Sequence, residues 1–126
     1  MLYSVNIFYC IVYKTIHKYN EFELEIRIHV FCIMNKPLLK IEYCPKCKWL
    51  ARAAWMAQEL LTTFEEELGG ITLEPSETSG RYNLFLNDEL IFSRKEKGRF
   101  PEITELKQLV RDIIAPEKNL GHTDKK

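Results

Sequence analysis

The chain contains no apolar run of the roughly 18–20 residues that a membrane span needs, and it has no excess charge of either sign. Lys and Arg total 18, and so do Asp and Glu. The first shortage argues against a spanning helix. The second removes the surplus of Lys and Arg with which general nucleic-acid binders neutralise phosphates, so neither a membrane nor a nucleic acid is an expected partner. Cysteine is scarce: Cys10, Cys32, Cys44 and Cys47 are too few and too scattered for a disulfide-stapled secreted scaffold. The apolar stretch from Val5 to Tyr13, broken by Asn6, lacks a basic segment before it and a small-residue cleavage site after it. It therefore does not read as a signal peptide, and the cytoplasm is the expected compartment. A Cys-x-x-Cys in that compartment points to catalysis or metal binding more than to a structural bridge.

Glycine and proline are also missing from residues 1–33, which carry seven aromatics and differ in texture from the rest of the chain. Within them, residues 22–31 (FELEIRIHVF) alternate apolar and polar, which taken literally is a half-buried strand. The whole segment reads as an N-terminal extension from an over-long start, because Met34-Asn35-Lys36-Pro37 looks like an ordinary beginning just before a first strand. From there the signals become orderly. Residues 38–43 (LLKIEY) form a strand pattern with Leu39, Ile41 and Tyr43 on one face. Residues 48–68 read as one long helix, with Trp49, Ala53, Met56, Leu60 and Phe64 at helical spacing and Gly69-Gly70 as its stop.

Residues 71–74, 81–86 and 89–94 give three more strands. The last two are joined by Asn87-Asp88, which tolerate left-handed conformations and so make a tight hairpin. Residues 95–99 (KEKGR) are a charged, solvated turn. Residues 102–114 are a second helix with Ile103, Leu106, Leu109, Val110 and Ile113 facing inward, opened by Pro101 and stopped by Pro116. Residues 117–126 are a polar, mobile tail, in which His122 has no assigned role. The expected domain is thus residues 34–116, in the order β-α-β-β-β-α. It is an α/β (α+β) fold in which a four-stranded mixed sheet is covered by two helices, the thioredoxin-like layer.

The chemistry centres on Cys44-Pro45-Lys46-Cys47, between the first strand and the long helix. This placement puts Cys44 at or just before the helix N-terminus and Cys47 in its first turn. Unpaired N–H groups and the positive end of the helix dipole favour thiolate there, and Lys46 and Lys48 add positive charge. One cysteine then attacks and the other resolves, the pair cycling between dithiol and a Cys44–Cys47 disulfide. Glu42 would oppose the shift, but alternation along the strand turns it away from the face of Tyr43. Zinc is the competing reading. A structural site wants four ligands, and Cys10, Cys32, His17 and His29 would have to supply the rest. Cys10 and Cys32 otherwise read as incidental thiols. Trp49 and Trp55 read as core and rim, with Trp49 close enough to shield the cysteines. Ser79-Gly80 is a turn that can abut the redox loop, since the strand after it should neighbour the first.

With those residues in view, the chain resembles the Rdx family of selenoprotein W-like proteins, on the side of its all-cysteine bacterial branch. The resemblance is carried by Tyr43-Cys44-Pro45-Lys46-Cys47, by residues 49–61 (WLARAAWMAQELL), by Ser79-Gly80, by Phe100-Pro101-Glu102 and by residues 106–112 (LKQLVRD), and it spans about residues 36–124. It implies a thioredoxin-like fold and a thiol-based oxidoreductase, with glutathione or protein thiols as co-substrate and no resident cofactor or metal. Animal relatives carry selenocysteine at the position of Cys47, which makes Cys47 the attacking residue and Cys44 the resolver, whereas helix-terminus physics alone favours Cys44. Pro45, Lys46, Trp49, Ser79, Gly80 and Phe100 form the expected substrate surface. The other readings are a redox-sensitive interaction module that binds a protein partner beside the motif without turnover, and a metal-binding protein. The oligomeric state is not legible.

Overall fold

The computed structural model describes residues 25–27 and 35–124. The chain divides into two units, Met1–Lys36 and Pro37–Lys126, and the sheet and its helices all belong to the second. In the first, residues 25–27 have helical backbone with exposed side chains, where alternation reads as strand. Glu and Arg favour helix, and three residues are too few for alternation to decide. The rest of the alternating stretch lies outside the described residues, as do Cys10, Cys32, His17 and His29.

β1 (Leu38–Tyr43) is followed by α1 (Leu50–Thr63), β2 (Gly70–Pro75), β3 (Tyr82–Leu86) and β4 (Glu89–Ser93). Then come a single helical turn, α2 (Arg94–Lys97), the helix α3 (Ile103–Ile114) and a 3-10 turn, Gly121–Asp124. The sheet order is β2-β1-β3-β4. β1 pairs parallel with β2, to which α1 connects it, and antiparallel with β3; β3 and β4 are a hairpin. The expected order of four strands and two long helices holds, and the sheet is mixed; α2 is helical where a strand end and a charged turn are expected, and the 3-10 turn is an addition. Asn87 and Asp88 have φ of 47° and 67°, the left-handed pair that a two-residue hairpin loop demands.

Register explains the core. Leu39, Ile41 and Tyr43 of β1 stand opposite Leu86, Leu84 and Tyr82 of β3, so the period-2 pattern puts all six on one face. Against them pack Ala53, Met56, Ala57 and Leu60 of α1, with Phe64, and Leu106 and Val110 of α3. The other face is polar or mixed: Lys40, Glu42, Glu74, Asn83 and Phe85. There Lys40 bridges Glu74 at 3.5 Å and lies 4.8 Å from the Phe85 ring centre.

Further details differ from expectation. α1 ends at Thr63, five residues before the expected stop. Thr62 and Thr63 donate their hydroxyls back to Gln58 and Glu59 carbonyls, and Glu65-Glu66-Glu67 would stack negative charge on the negative helix end. Ile113 is exposed, and Ile114 packs on the core in its place. The tail is tied down as far as Asp124. Arg111 donates to Asp124 at 2.8 Å, Gln108 to the Thr123 carbonyl, and Leu120 packs on the core. Among the described residues, no helix is long and apolar enough to cross a membrane.

Acid should loosen this unit. The Glu42 carboxyl would be raised by burial, but hydrogen bonds from Ser76, Asn83 and Arg81 outweigh this and hold it below 4.5. Hydrogen bonds from Arg99 hold Glu105 down in the same way. Carboxyls depressed on folding contribute stability that is complete above their unfolded pKa and is lost as pH falls through the folded value. Denaturant midpoints should therefore fall from about pH 4.5 downward, and a Glu42→Gln/Glu105→Gln variant should show a flatter acid limb. An equally steep limb in that variant would count against the assignment.

Candidate redox site

β1 delivers Cys44 to the edge of the core, where the residue has no exposed surface. The chain does not enter α1 at once. Lys48 donates its backbone N–H to the Pro45 carbonyl at 3.0 Å, and Trp49 to the Cys44 carbonyl at 3.3 Å. Residues 45–49 are therefore a turn, with Lys48 in the left-handed region at φ 61° and Trp49 at the N-cap of α1. Cys47 lies in that turn and not, as expected, in the first turn of the helix. Pro45 sets the turn, and it leaves Cys47 half-buried while Cys44 is enclosed.

The partners of Cys44 come from two loops. The Cys47 backbone N–H donates to Cys44 Sγ at 3.3 Å. Ser79 Oγ lies 3.9 Å from the same sulfur, so the loop between β2 and β3 does abut the Cys-x-x-Cys turn. Burial pushes the Cys44 thiol up. The Cys47 thiol, the backbone N–H groups of Gly80 and Cys47, and the Ser79 hydroxyl outweigh it, bringing Cys44 from 9.0 down to about 7. The thiolate form is thus favoured by backbone and side-chain donors, and α1 begins only at Leu50, beyond the turn. Gly80 has φ of +77° with open space where a Cβ would stand; the backbone conformation, not crowding, calls for glycine there. Cys44 and Cys47 are both free thiols here.

Pro45, Lys46 and Ser79 are exposed, and Trp49, Gly80 and Phe100 are half-buried. Trp49 meets Phe100 edge-on at 4.8 Å between ring centres, and Tyr82 meets both. Tyr82 is fully buried, and its hydroxyl donates to Met56 Sδ at 3.1 Å. Burial pushes Tyr82 up to about 12, slightly eased by Arg52, so it stays neutral beneath Trp49 and Phe100.

Two cations escape sequence reasoning. The Arg94 guanidinium lies 4.8 Å from the Trp49 ring and 4.9 Å from Phe100, and Arg52 lies 4.2 Å from Phe100. Arg94 reads from sequence as the last residue of the fourth strand, beside the charged turn; it instead opens the helical turn α2, and only the fold lays it over the aromatics. The alternation of β1 gave a signal for Glu42: it does point away from the Tyr43 face. The fold then encloses it with Ser76, Arg81 and Asn83, for which the sequence carries no signal. Among the described residues, no group of three or more His, Cys, Asp or Glu side chains could hold a metal ion.

A mixed four-stranded sheet with a Cys-x-x-Cys turn between its first strand and first long helix defines a thioredoxin-like protein with a half-buried and an enclosed thiol. The family follows from comparison: the model of the Rdx family matches residues 38–112, and the chain belongs to that family. Two of the solved structures similar to it show how far the likeness extends. The selenoprotein W-related protein from Vibrio cholerae is 48% identical, with a TM-score of 0.60 over 63% of this chain and 98% of that one. A protein from Bordetella parapertussis is 47% identical, with a TM-score of 0.60 over 62% of this chain and 98% of that one. No curated protein matches the chain. The family is redox-associated, as expected from the resemblance.

Proposed function

We propose that the protein is a thiol–disulfide oxidoreductase working through Cys44 and Cys47. The observation that carries this reading is the division of labour in the pair: one sulfur enclosed and held low, at about 7, the other partly open to solvent. Cys47 thiolate attacks one sulfur of a substrate disulfide, whose other half leaves as a thiolate and takes up a proton. Cys44 thiolate then attacks Cys47 Sγ. The second substrate thiol leaves, and the pair is left as a disulfide. The substrate gains two electrons and the pair loses two. Two equivalents of an external thiol reverse the change, the first attacking Cys47 Sγ. Cys44 is then the leaving group, and a thiol of lowered pKa leaves faster.

Glutathione or a protein thiol fits as the external thiol. Lys46, Arg52 and Arg94 place positive charge around the turn, and neither guanidinium makes an ion pair among the described residues. A carboxylate-bearing thiol would find partners there. The cytoplasm, with its reducing thiol pool, suits such a cycle.

Equilibration in glutathione redox buffers tests the reading. The expected outcome is one reversible two-electron transition in which the 44–47 disulfide, mapped by mass spectrometry, forms and disappears. A pair that never forms the disulfide across the accessible range would sink the proposal.

A further inference from the structure

Glu42 is a carboxylate that the redox cycle does not use, yet it is 9% exposed and sits two residues before Cys44. Strand alternation sends its side chain to the face opposite Tyr43. There it stands across from Asn83 in the β1–β3 register and is bonded on every side. Oε1 accepts from the Ser76 hydroxyl at 2.8 Å and from Arg81 Nη1 at 3.3 Å, and Oε2 accepts from Asn83 Nδ2 at 3.0 Å. These three residues bracket the segment that carries Ser79 and Gly80. Ser76 opens it, with its own N–H bonded to the Tyr43 carbonyl at 2.8 Å and its Oγ accepting from the Thr78 N–H at 3.2 Å. Arg81 and Asn83 close it.

We propose that Glu42 is a positioning residue for the Cys44 sulfur: its carboxylate clamps both ends of the 76–83 segment, and so fixes Ser79 and Gly80 against Cys44. The proposal deepens the redox reading and names what sets its enclosed thiol. Neighbouring charge alone makes the opposite forecast. A carboxylate near a thiolate repels it, so removing the charge should lower the thiol. Removing a clamp should raise it, because the donors on the 76–83 segment drift away. The sign of one measured shift therefore separates the two.

The test is a site-resolved NMR titration of the cysteine Cβ signals in the reduced full chain. In Glu42→Gln the charge that holds Arg81 is lost and the new amide pairs with Asn83 only if the Asn83 side chain turns over, so the clamp is weakened and Cys44 should titrate clearly above about 7, toward 9.0. Ser76→Ala, which removes one link and no charge, should move it the same way by less. Glu42→Gln/Asn83→Asp restores a donor–acceptor pair and should return Cys44 to near the wild-type value. Glu74→Gln, on the same face but outside the clamp, should leave it in place. A Cys44 value that is unchanged or lower in folded Glu42→Gln overturns the proposal; should that variant not fold, an unchanged value in Ser76→Ala does so. The titration needs no turnover. A clamp that behaves as proposed in a protein without disulfide exchange would sink the redox reading alone, and the reverse result would sink only the clamp.

Discussion

Replacing Cys47 by serine should abolish disulfide exchange, and replacing Cys44 by serine should stop the cycle one step later, with substrate bound to Cys47. The asymmetry follows from burial. Cys44 has no exposed surface, whereas Cys47 sits in an open turn between Pro45 and Trp49, so an incoming disulfide meets Cys47 first. Without Cys47 there is no accessible nucleophile in the pair, and lowering the Cys44 thiol to about 7 does not help a sulfur that substrate cannot reach. Without Cys44, attack still occurs but resolution must come from solution. A well-placed intramolecular group can act with an effective molarity on the order of 10⁵ M or more. Against millimolar external thiol the ratio reaches about 10⁸, so the Cys44→Ser variant should resolve slower by orders of magnitude, and by more than about 100-fold even where most of that advantage is lost. Mass spectrometry of each variant after a brief exposure to oxidised glutathione reads the outcome. The expected result is a glutathione adduct on Cys47 in Cys44→Ser and none on Cys44 in Cys47→Ser. Adducts in the reverse pattern would assign the attack to Cys44.

Phe64→Ala should be the most damaging core substitution. Phe64 is fully buried at the point where α1 stops. Its N–H bonds to the Leu60 carbonyl at 2.9 Å, and its carbonyl accepts from Glu67 and Leu68. The ring fills the core beneath that turn, with the Lys118 ammonium 5.9 Å from its centre. Truncating a buried Phe removes its transfer free energy and leaves a cavity, together about 3–5 kcal/mol. Domains of this kind hold roughly 5–15 kcal/mol in all, so the variant should melt on the order of 15–30 °C lower. The check is a denaturant titration of the reduced protein, in which the midpoint falls and the slope is kept. A loss under about 1 kcal/mol would mean that the cavity collapses and that the core around α1 is more plastic than its burial indicates.

Much of the fold was legible because it rests on local periodicity. Leu39, Ile41 and Tyr43 share a face by alternation, and Ala53, Met56, Leu60 and Phe64 share one by helical spacing. Asn87-Asp88 forecast the hairpin through their tolerance of positive φ. Local signals misled where two local effects compete. The long-helix reading rests on the spacing from Trp49 to Phe64 and on Gly69-Gly70 as the stop, and it runs straight through Glu65-Glu66-Glu67. At a helix C-terminus their charge opposes the dipole, and Thr62 and Thr63 already turn their hydroxyls back on the chain. The tail reads as mobile because it is polar, but Asp124 and Lys118 have partners in Arg111 and Glu67, which no local pattern announces.

The sequence by itself determined the motif, the order of elements and which face of each is apolar, since these depend on residue type and spacing along one segment. It also determined that Cys44 and Cys47 sit between a strand and a helix. The tertiary structure alone decided how the two sulfurs differ. Cys44 is enclosed and hydrogen-bonded because residues 76–83 pass over the end of β1, bringing Ser79 and Gly80 from more than thirty residues away. It likewise decided that Arg94 lies over Trp49 and that Glu42 is bonded on all sides. Burial and hydrogen bonding are set by what lies across space, and that information is spread over strands that meet only when the sheet is assembled.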